Sequence, residues 1–295
     1  MILKNVVAEF LIYQEVNGNS IRTLEYYTLT LGYFMDFLGA DRQLRMISLS
    51  DLHAYYYFLK NRNITRITLQ TYIRSVRAFL NWCYAQEYMP QKLTEKFLLP
   101  RAEQKVFDVL TDYEIQKLFS CFDLRTFHGV RNWCICALML DSGLRKSEVV
   151  SVHFCHFRHT DSFLIVQGKG SRQRRIPLGV HTRKNMAKYV SLIPNQGSRF
   201  LFMKSDGSPI TGHTVTQLFR KLKTETGITR LHPHLLRHTF ATCFIENGGD
   251  VFTLQQILGH TTLDMSRKYT HLGNKSTYEK FRAYSPLDNM KKPPY

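Results

Sequence analysis

The chain has 295 residues, of which 44% are hydrophobic, enough for two domains with real cores and too apolar for a disordered tail. No apolar run approaches the ~18–20 residues of a membrane span. The opening Met1-Ile-Leu-Lys4 turns polar by Glu9 without the layout of a signal peptide, so a cytoplasmic protein with no membrane partner is expected. The formal charge is +17, with 13 basic and 9 acidic residues before position 106 and 27 and 14 from there on. Such a field suits a polyanion and makes binding salt-dependent, although a merely soluble basic protein fits the charge equally well. The six cysteines, Cys83, Cys121, Cys134, Cys136, Cys155 and Cys243, form no CxxC pair. That argues against a zinc ribbon or thioredoxin-like site and reads as buried free thiols; no metal and no cofactor are expected.

Residues 1–97 read as helices joined by short polar turns. Val6 to Val16 is amphipathic. Ser20 is a good N-cap for a helix carrying Leu24, Tyr27, Leu31, Phe34 and Leu38, stopped by Gly39. Ser50 or Asp51 is expected to cap a third helix through Tyr57 and Leu59. Thr65 or Thr68 opens a fourth, with Tyr72, Val76, Phe79, Leu80 and Tyr84 on one face. Residues 98–109 contain Pro100, lack helical period and read as a linker. Residues 110–295 form the second domain. Thr111 with Glu114 makes a capping-box pattern, and Arg131 to Leu140 is an apolar helix ending at Asp141-Ser142-Gly143. Phe163–Gln167 and Arg174–Leu178 read as a β-hairpin with Lys169 at its glycine-flanked tip. Helices follow at about 180–192, 213–226, 234–247, 251–258 and 262–271.

In the last quarter, His234, Arg237 and His238 are spaced i, i+3, i+4 and share one helix face. Alone, this is more often a solvated helix start than a site. Upstream, Ser142-Gly143-Leu144-Arg145 places an arginine directly after a helix-ending glycine, aimed at an anion by the next helix, with Glu148 three residues on. Alone, this too is an ordinary turn with an ion pair. A tyrosine such as Tyr269 is a poor nucleophile at its free pKa of about 10, and attacks only where neighbours take its proton and stabilise the developing charge.

In order, Gly-Leu-Arg145-x-x-Glu148, Gly-Lys169-Gly, His234-x-x-Arg237-His, Leu-Gly-His260 and Tyr269 resemble the tyrosine recombinase (phage integrase) family. The match runs over nearly the whole chain, and residues 20–84 look like that family's helical core-binding domain. The resemblance implies a mainly α fold with a small antiparallel β-sheet in the C-terminal domain, as a two-domain C-shaped DNA clamp. It implies a site-specific DNA recombinase in which Tyr269 attacks a backbone phosphate, forms a 3′-phosphotyrosyl bond and releases a 5′-hydroxyl. Strands are then rejoined through a Holliday junction. Bond energy is conserved in the phosphotyrosine, so the reaction calls for neither ATP nor metal. Arg145 and Arg237 would grip the non-bridging oxygens through the guanidinium fork, Lys169 would protonate the leaving 5′-oxygen, and His234 would take or share the tyrosine proton. His260 would donate a hydrogen bond to a phosphate oxygen, and Glu148 would orient the cluster. His238 is read as structural, and His271 is given no role.

The expected partner is double-stranded DNA with inverted-repeat core sites, bound by a dimer on one site and a tetramer in synapsis, with an accessory DNA-bending protein as an optional addition. Residues 276–295 are expected to dock on a neighbouring protomer. Expected DNA contacts are Arg22, Thr23, Arg66, Arg74 and Arg77 in the first domain. In the second they are Arg172, Arg174 and Arg175 beside the hairpin tip, and Thr214, Gln217, Arg220 and Lys221 on one helix. The aromatic run Tyr55-Tyr56-Tyr57 reads as packing, not as a base-stacking platform. No extra N-terminal arm-binding module is read ahead of residue 1. A simple enzyme of the Xer type, an invertase or a transposon enzyme of bacterial or phage origin is therefore expected before a lambda-type integrase. The rivals are a catalytically silent DNA-binding regulator on the same fold and an enzyme that only relaxes supercoils, like type IB topoisomerases.

Overall fold

The computed structural model describes residues 1–99, 108–157, 162–168, 173–193 and 199–259. The fold is mainly helical with one two-stranded antiparallel sheet. The chain divides into two compact units, residues 1–105 and 106–295. No helix among the described residues is long and apolar enough to cross a membrane.

The first unit consists of α1 (Leu3–Val16), α2 (Ile21–Leu38), α3 (Leu49–Lys60) and α4 (Arg66–Ala85). Each helix turns a few large side chains inward, and Phe10 sits among them with its ring edge-on to Tyr27, Phe79 and Trp82 at 5.1–5.5 Å between centroids. That spacing and tilt are those preferred by aromatic quadrupoles. The buried Thr30 hydroxyl donates to Ser75 and ties α2 to α4. Ser20 and Thr65 cap α2 and α4, each accepting the amide three residues on. The cap of α3 lies earlier than the sequence suggests. Ser48 accepts the Asp51 amide while the Asp51 carboxylate takes the Ser48 N–H, so Asp51 stands at the third helical position. Arg42 binds both oxygens of that carboxylate at 2.9 Å. Tyr55 is fully buried, packed against Phe34 and Phe37, and Tyr57 is exposed.

The second unit is built on α6 (Phe127–Asp141), a helix apolar nearly all round that is buried along most of its length. Around it lie α5 (Asp112–Ser120), the short α7 (Lys146–Val150), α8 (Val180–Ser191), α9 (Gly212–Thr226), α10 (Pro233–Glu246) and α11 (Val251–Leu258). Strands β1 (Phe163–Gln167) and β2 (Gln173–Pro177) pair antiparallel with Leu164 opposite Ile176 and Val166 opposite Arg174. Leu164, Val166 and Ile176 are buried, so one face of the hairpin joins the core. The hairpin tip lies outside the described residues, as do the C-terminal helix expected at 262–271 and the segment 276–295.

The entry into the second unit is fastened by charge. Thr111 caps α5, and the Glu114 carboxylate returns to the Thr111 amide. Arg230, just before α10, forks onto both Glu114 oxygens at 2.6 and 2.7 Å, pairs with Asp108 and donates to the Val109 carbonyl. Thr239 on α10 accepts the Leu110 amide. The Arg230 hydrogen bonds, then the Thr111 amide, hold the Glu114 carboxyl down at about 2. A carboxyl whose folded value lies below its unfolded one stabilises the fold above the unfolded value, and that stabilisation fades as pH falls toward the folded value. Glu114→Gln should lower the unfolding midpoint at pH 7 by about 2–4 °C per kcal/mol lost, with the gap to wild type closing between pH 4.5 and 2. A gap that stays constant down to pH 2 would refute this role.

Candidate active site

The end of α6 sets the geometry. Ser142 terminates the helix, and Gly143 follows with φ at +65°, a left-handed turn that returns the chain at once. A Cβ at Gly143 would lie 2.6 Å from both Leu258 and Phe240, so α10 and α11 close on this glycine and leave no room for any side chain. Arg145 then becomes the residue ahead of α7. Its amide donates to Glu148 Oε2 at 2.8 Å and its guanidinium to Oε1 at 2.9 Å.

Glu148 is the centre of the cluster, with its carboxylate only 6% exposed. Besides Arg145, it takes a hydrogen bond from Arg174 Nη1 at 2.9 Å, and Arg237 Nη1 stands 4.0 Å from its other oxygen. Burial raises the proton affinity of Glu148, but the hydrogen bonds from Arg174 and the Arg145 amide, with their charges, outweigh it and keep the carboxyl below its ordinary value. The same three arginines gather main-chain carbonyls. Arg237 donates to Gly143 and, at 2.8 Å, to Leu258. Arg145 also reaches the Leu258 carbonyl at 3.2 Å, and Arg174 takes that of Ile257 at 2.9 Å. The Ile257 and Leu258 carbonyls close α11, the negative end of its dipole. Three guanidiniums thus share one carboxylate and leave an excess of positive charge, with Arg145 the most open at 33% exposed.

Proline at the first position of α10 fits a helix start, where the missing N–H is not needed. It places His234 exposed on the first turn and Arg237 buried one turn further in. The proton affinity of His234 is lowered, first by partial loss of hydration and then by His232, Arg237, Arg145 and Lys146. That shift favours the neutral imidazole, the form able to accept a proton. Lys146 reaches Thr216 and ties α7 to α9.

Of the seven residues proposed for chemistry, the structure brings together Arg145, Glu148, His234 and Arg237; Lys169, His260 and Tyr269 lie outside the described residues. So does Arg172, expected to touch DNA. Arg174, also expected on a phosphate, is instead turned into the cluster, 15% exposed and bonded to Glu148 and Ile257. Period two along β2 carries that signal, because Arg174 shares a face with buried Ile176. Arg175 points to the other face and lies over the Phe163 ring at 4.7 Å. Arg77 is half-buried and donates to the Thr94 carbonyl, whereas Arg22, Arg66 and Arg74 are exposed and Thr23 is half-buried. On α9, Gln217, Arg220 and Lys221 are exposed, with Lys221 paired to Glu225 and Gln217 to His213. Thr214 serves the cap of that helix through Thr211.

Two family descriptions match the chain, "Phage integrase family" over residues 108–276 and "Phage integrase SAM-like domain" over residues 5–99. Among curated proteins, the tyrosine recombinase XerC of Staphylococcus carnosus is 30% identical over 87% of this chain and 88% of its own length. XerC of Bacillus pumilus is 26% identical over 96% and 97%. Among solved structures, the integrase of transposon Tn1549 bound to a circular-intermediate DNA superposes with a TM-score of 0.78 at 18% identity, covering 96% of this chain and 99% of that one. That likeness concerns the fold.

Replacing the shared carboxylate by an amide would leave three buried or half-buried guanidiniums without a counter-charge. Glu148→Gln should cost about 3 kcal/mol of stability, read as a fall in unfolding midpoint of the full chain. A change within about 0.5 kcal/mol, the range of ordinary surface substitutions, would show that the carboxylate does not hold the cluster.

Proposed function

The chain belongs to the phage integrase family, and we propose that the Glu148 cluster is one half of a phosphate-cleaving site completed by Lys169, His260 and Tyr269. The protein is a site-specific DNA recombinase, an enzyme that breaks and rejoins DNA strands. The observation carrying the site assignment is the surplus of guanidinium charge around a single buried carboxylate, open at Arg145 and with the His234 imidazole nearby.

In this reading Arg145 and Arg237 bring their guanidinium charge to the non-bridging oxygens and stabilise the five-coordinate phosphorus. The Tyr269 oxygen forms the new bond to phosphorus, the bond to the 5′-oxygen breaks, and that oxygen takes a proton from Lys169. The tyrosine proton passes to His234, and His260 donates to a phosphate oxygen. Attack by a 5′-hydroxyl on the phosphotyrosine reverses the step and rejoins the strand. Glu148 and Arg174 act as positioning residues, holding the arginines and the end of α11.

Double-stranded DNA is the partner. The exposed Arg22, Arg66 and Arg74 in the first unit and Gln217, Arg220 and Lys221 on α9 support base and backbone contact. Inverted-repeat sites, a dimer on each, a synaptic tetramer, the docking of residues 276–295 on a neighbour, accessory DNA-bending proteins and a cytoplasmic location complete the proposal. The intact set Arg145, Lys169, Arg237 and Tyr269 favours an enzyme over a silent regulator.

A nicked suicide duplex bearing the cognate site tests the nucleophile. Wild type should become covalently joined to DNA, and Tyr269→Phe should bind equally well and form no adduct. An adduct in Tyr269→Phe would reject the assignment. Separately, the acid limb of the cleavage rate should lie below pH 6.5, the ordinary histidine value, because His234 must be neutral to take the proton and its affinity is lowered. An acid limb unchanged in His234→Gln would remove His234 from that role.

A further inference from the structure

Away from the Glu148 cluster, the described residues contain a second concentration of chemistry that recombination does not use. His153, Cys155 and His156 offer two imidazoles and a thiol whose donor atoms all lie within 4.8 Å of one another. They come from four consecutive residues at the 3-10 turn Phe154–His156, which begins shortly after α7 ends.

The turn is fixed by its backbone before any ligand arrives. Val152 accepts the Leu201 amide at 2.8 Å, Phe154 donates to the Arg199 carbonyl at 2.9 Å, and His153 bridges to Phe200. The side chains are also held. The His153 and His156 rings lie stacked at 4.9 Å and 21°, and the His153 ring meets Phe200 edge-on at 5.6 Å. Both imidazoles are half-buried, and Cys155 is exposed and free.

We propose that His153, Cys155 and His156 form a zinc site with water as the fourth ligand. Zinc bonds of about 2.0–2.1 Å to nitrogen and 2.3 Å to sulfur place tetrahedral ligands roughly 3.3–3.8 Å apart. From spacings within 4.8 Å, the donor atoms need to close by at most about 1–1.5 Å, a displacement that side-chain rotation supplies. Two imidazoles and a thiolate suit a borderline-soft divalent ion, and the trio holds no carboxylate to favour magnesium or calcium. On binding, Cys155 loses its proton to solvent, and the thiolate offsets one of the two metal charges, which eases the opposition from Arg199. An ion that binds the folded turn and not the unfolded chain raises the thermal midpoint.

The test uses the full, tag-free, reduced and chelator-stripped chain, titrated with zinc against a chromophoric chelator and separately with cobalt(II). Wild type should take up one equivalent of zinc, show a thiolate-to-cobalt charge-transfer band, and gain thermal stability with added zinc. Cys155→Ser should lose the band, and both it and His156→Ala should weaken zinc binding at least about tenfold, a difference of ~1.4 kcal/mol, while keeping the circular dichroism of wild type. Cys155 is exposed, so its variant is not expected to unfold. Absence of uptake by wild type at tens of micromolar zinc would overturn the site. So would equal uptake by the triple variant His153→Ala, Cys155→Ser, His156→Ala, which would place the ion elsewhere, for instance at His232 and His234.

Discussion

The catalytic unit depends on one buried carboxylate that is outnumbered by its cations. Glu148 lies among Arg145, Arg174 and Arg237, and these also hold main-chain carbonyls at the end of α11 and, for Arg237, at Gly143. Burying an ion is costly unless its partners and hydrogen bonds repay the lost hydration. Here the carboxylate is repaid by two direct guanidinium bonds and an amide, and the guanidiniums by carbonyls at a helix end. The balance leaves net positive charge where a phosphate would complete it. Structure and chemistry meet in that imbalance.

The mechanical route into this cluster runs through close approach. Gly143 turns the chain in a conformation that side chains rarely adopt, under Leu258 and Phe240. At the other side, Gly259 ends α11 with φ at +61°, and a Cβ there would meet the Arg174 guanidinium at 3.0 Å. Two glycines thus let α7, α10, α11 and β2 converge within the reach of three arginine side chains. The Arg230–Glu114 fork fastens the beginning of the unit to the segment that leads into α10. The helix bearing His234 and Arg237 is therefore held at both its entry and its working face.

Much of this was legible in the sequence, for stated reasons. The individual helices and the hairpin followed from three- and four-residue periodicity with one pair of period-two runs, the fold class from the family resemblance, and the caps at Ser20 and Thr111 from hydroxyls placed three residues before an amide they can satisfy. Gly143-Leu-Arg145-x-x-Glu148 was readable as a turn, an arginine and a carboxylate one helical turn apart. Its tertiary partners were not, because carbonyl acceptors at 143, 257 and 258 have no side-chain signature. At α3 the competition between Ser48, Ser50 and Asp51 was decided by Arg42, a partner nine residues away from Asp51. Arg174 and Arg175 read alike as phosphate contacts because they stand side by side, and only the burial of Ile176 decides which one turns inward. The His153-x-Cys155-His156 turn escaped a count of cysteine pairs because its ligands are mostly histidine.

Four of the cluster's arginine hydrogen bonds end on main-chain oxygens. An anchor of that kind is blind to the side chain that carries it. Ile257 and Leu258 can therefore exchange for other apolar residues of similar volume without breaking a single arginine bond. The arginine scaffold and the apolar packing of α11 are consequently separable traits. Core side chains at 257 and 258 can drift while the guanidiniums stay where they are.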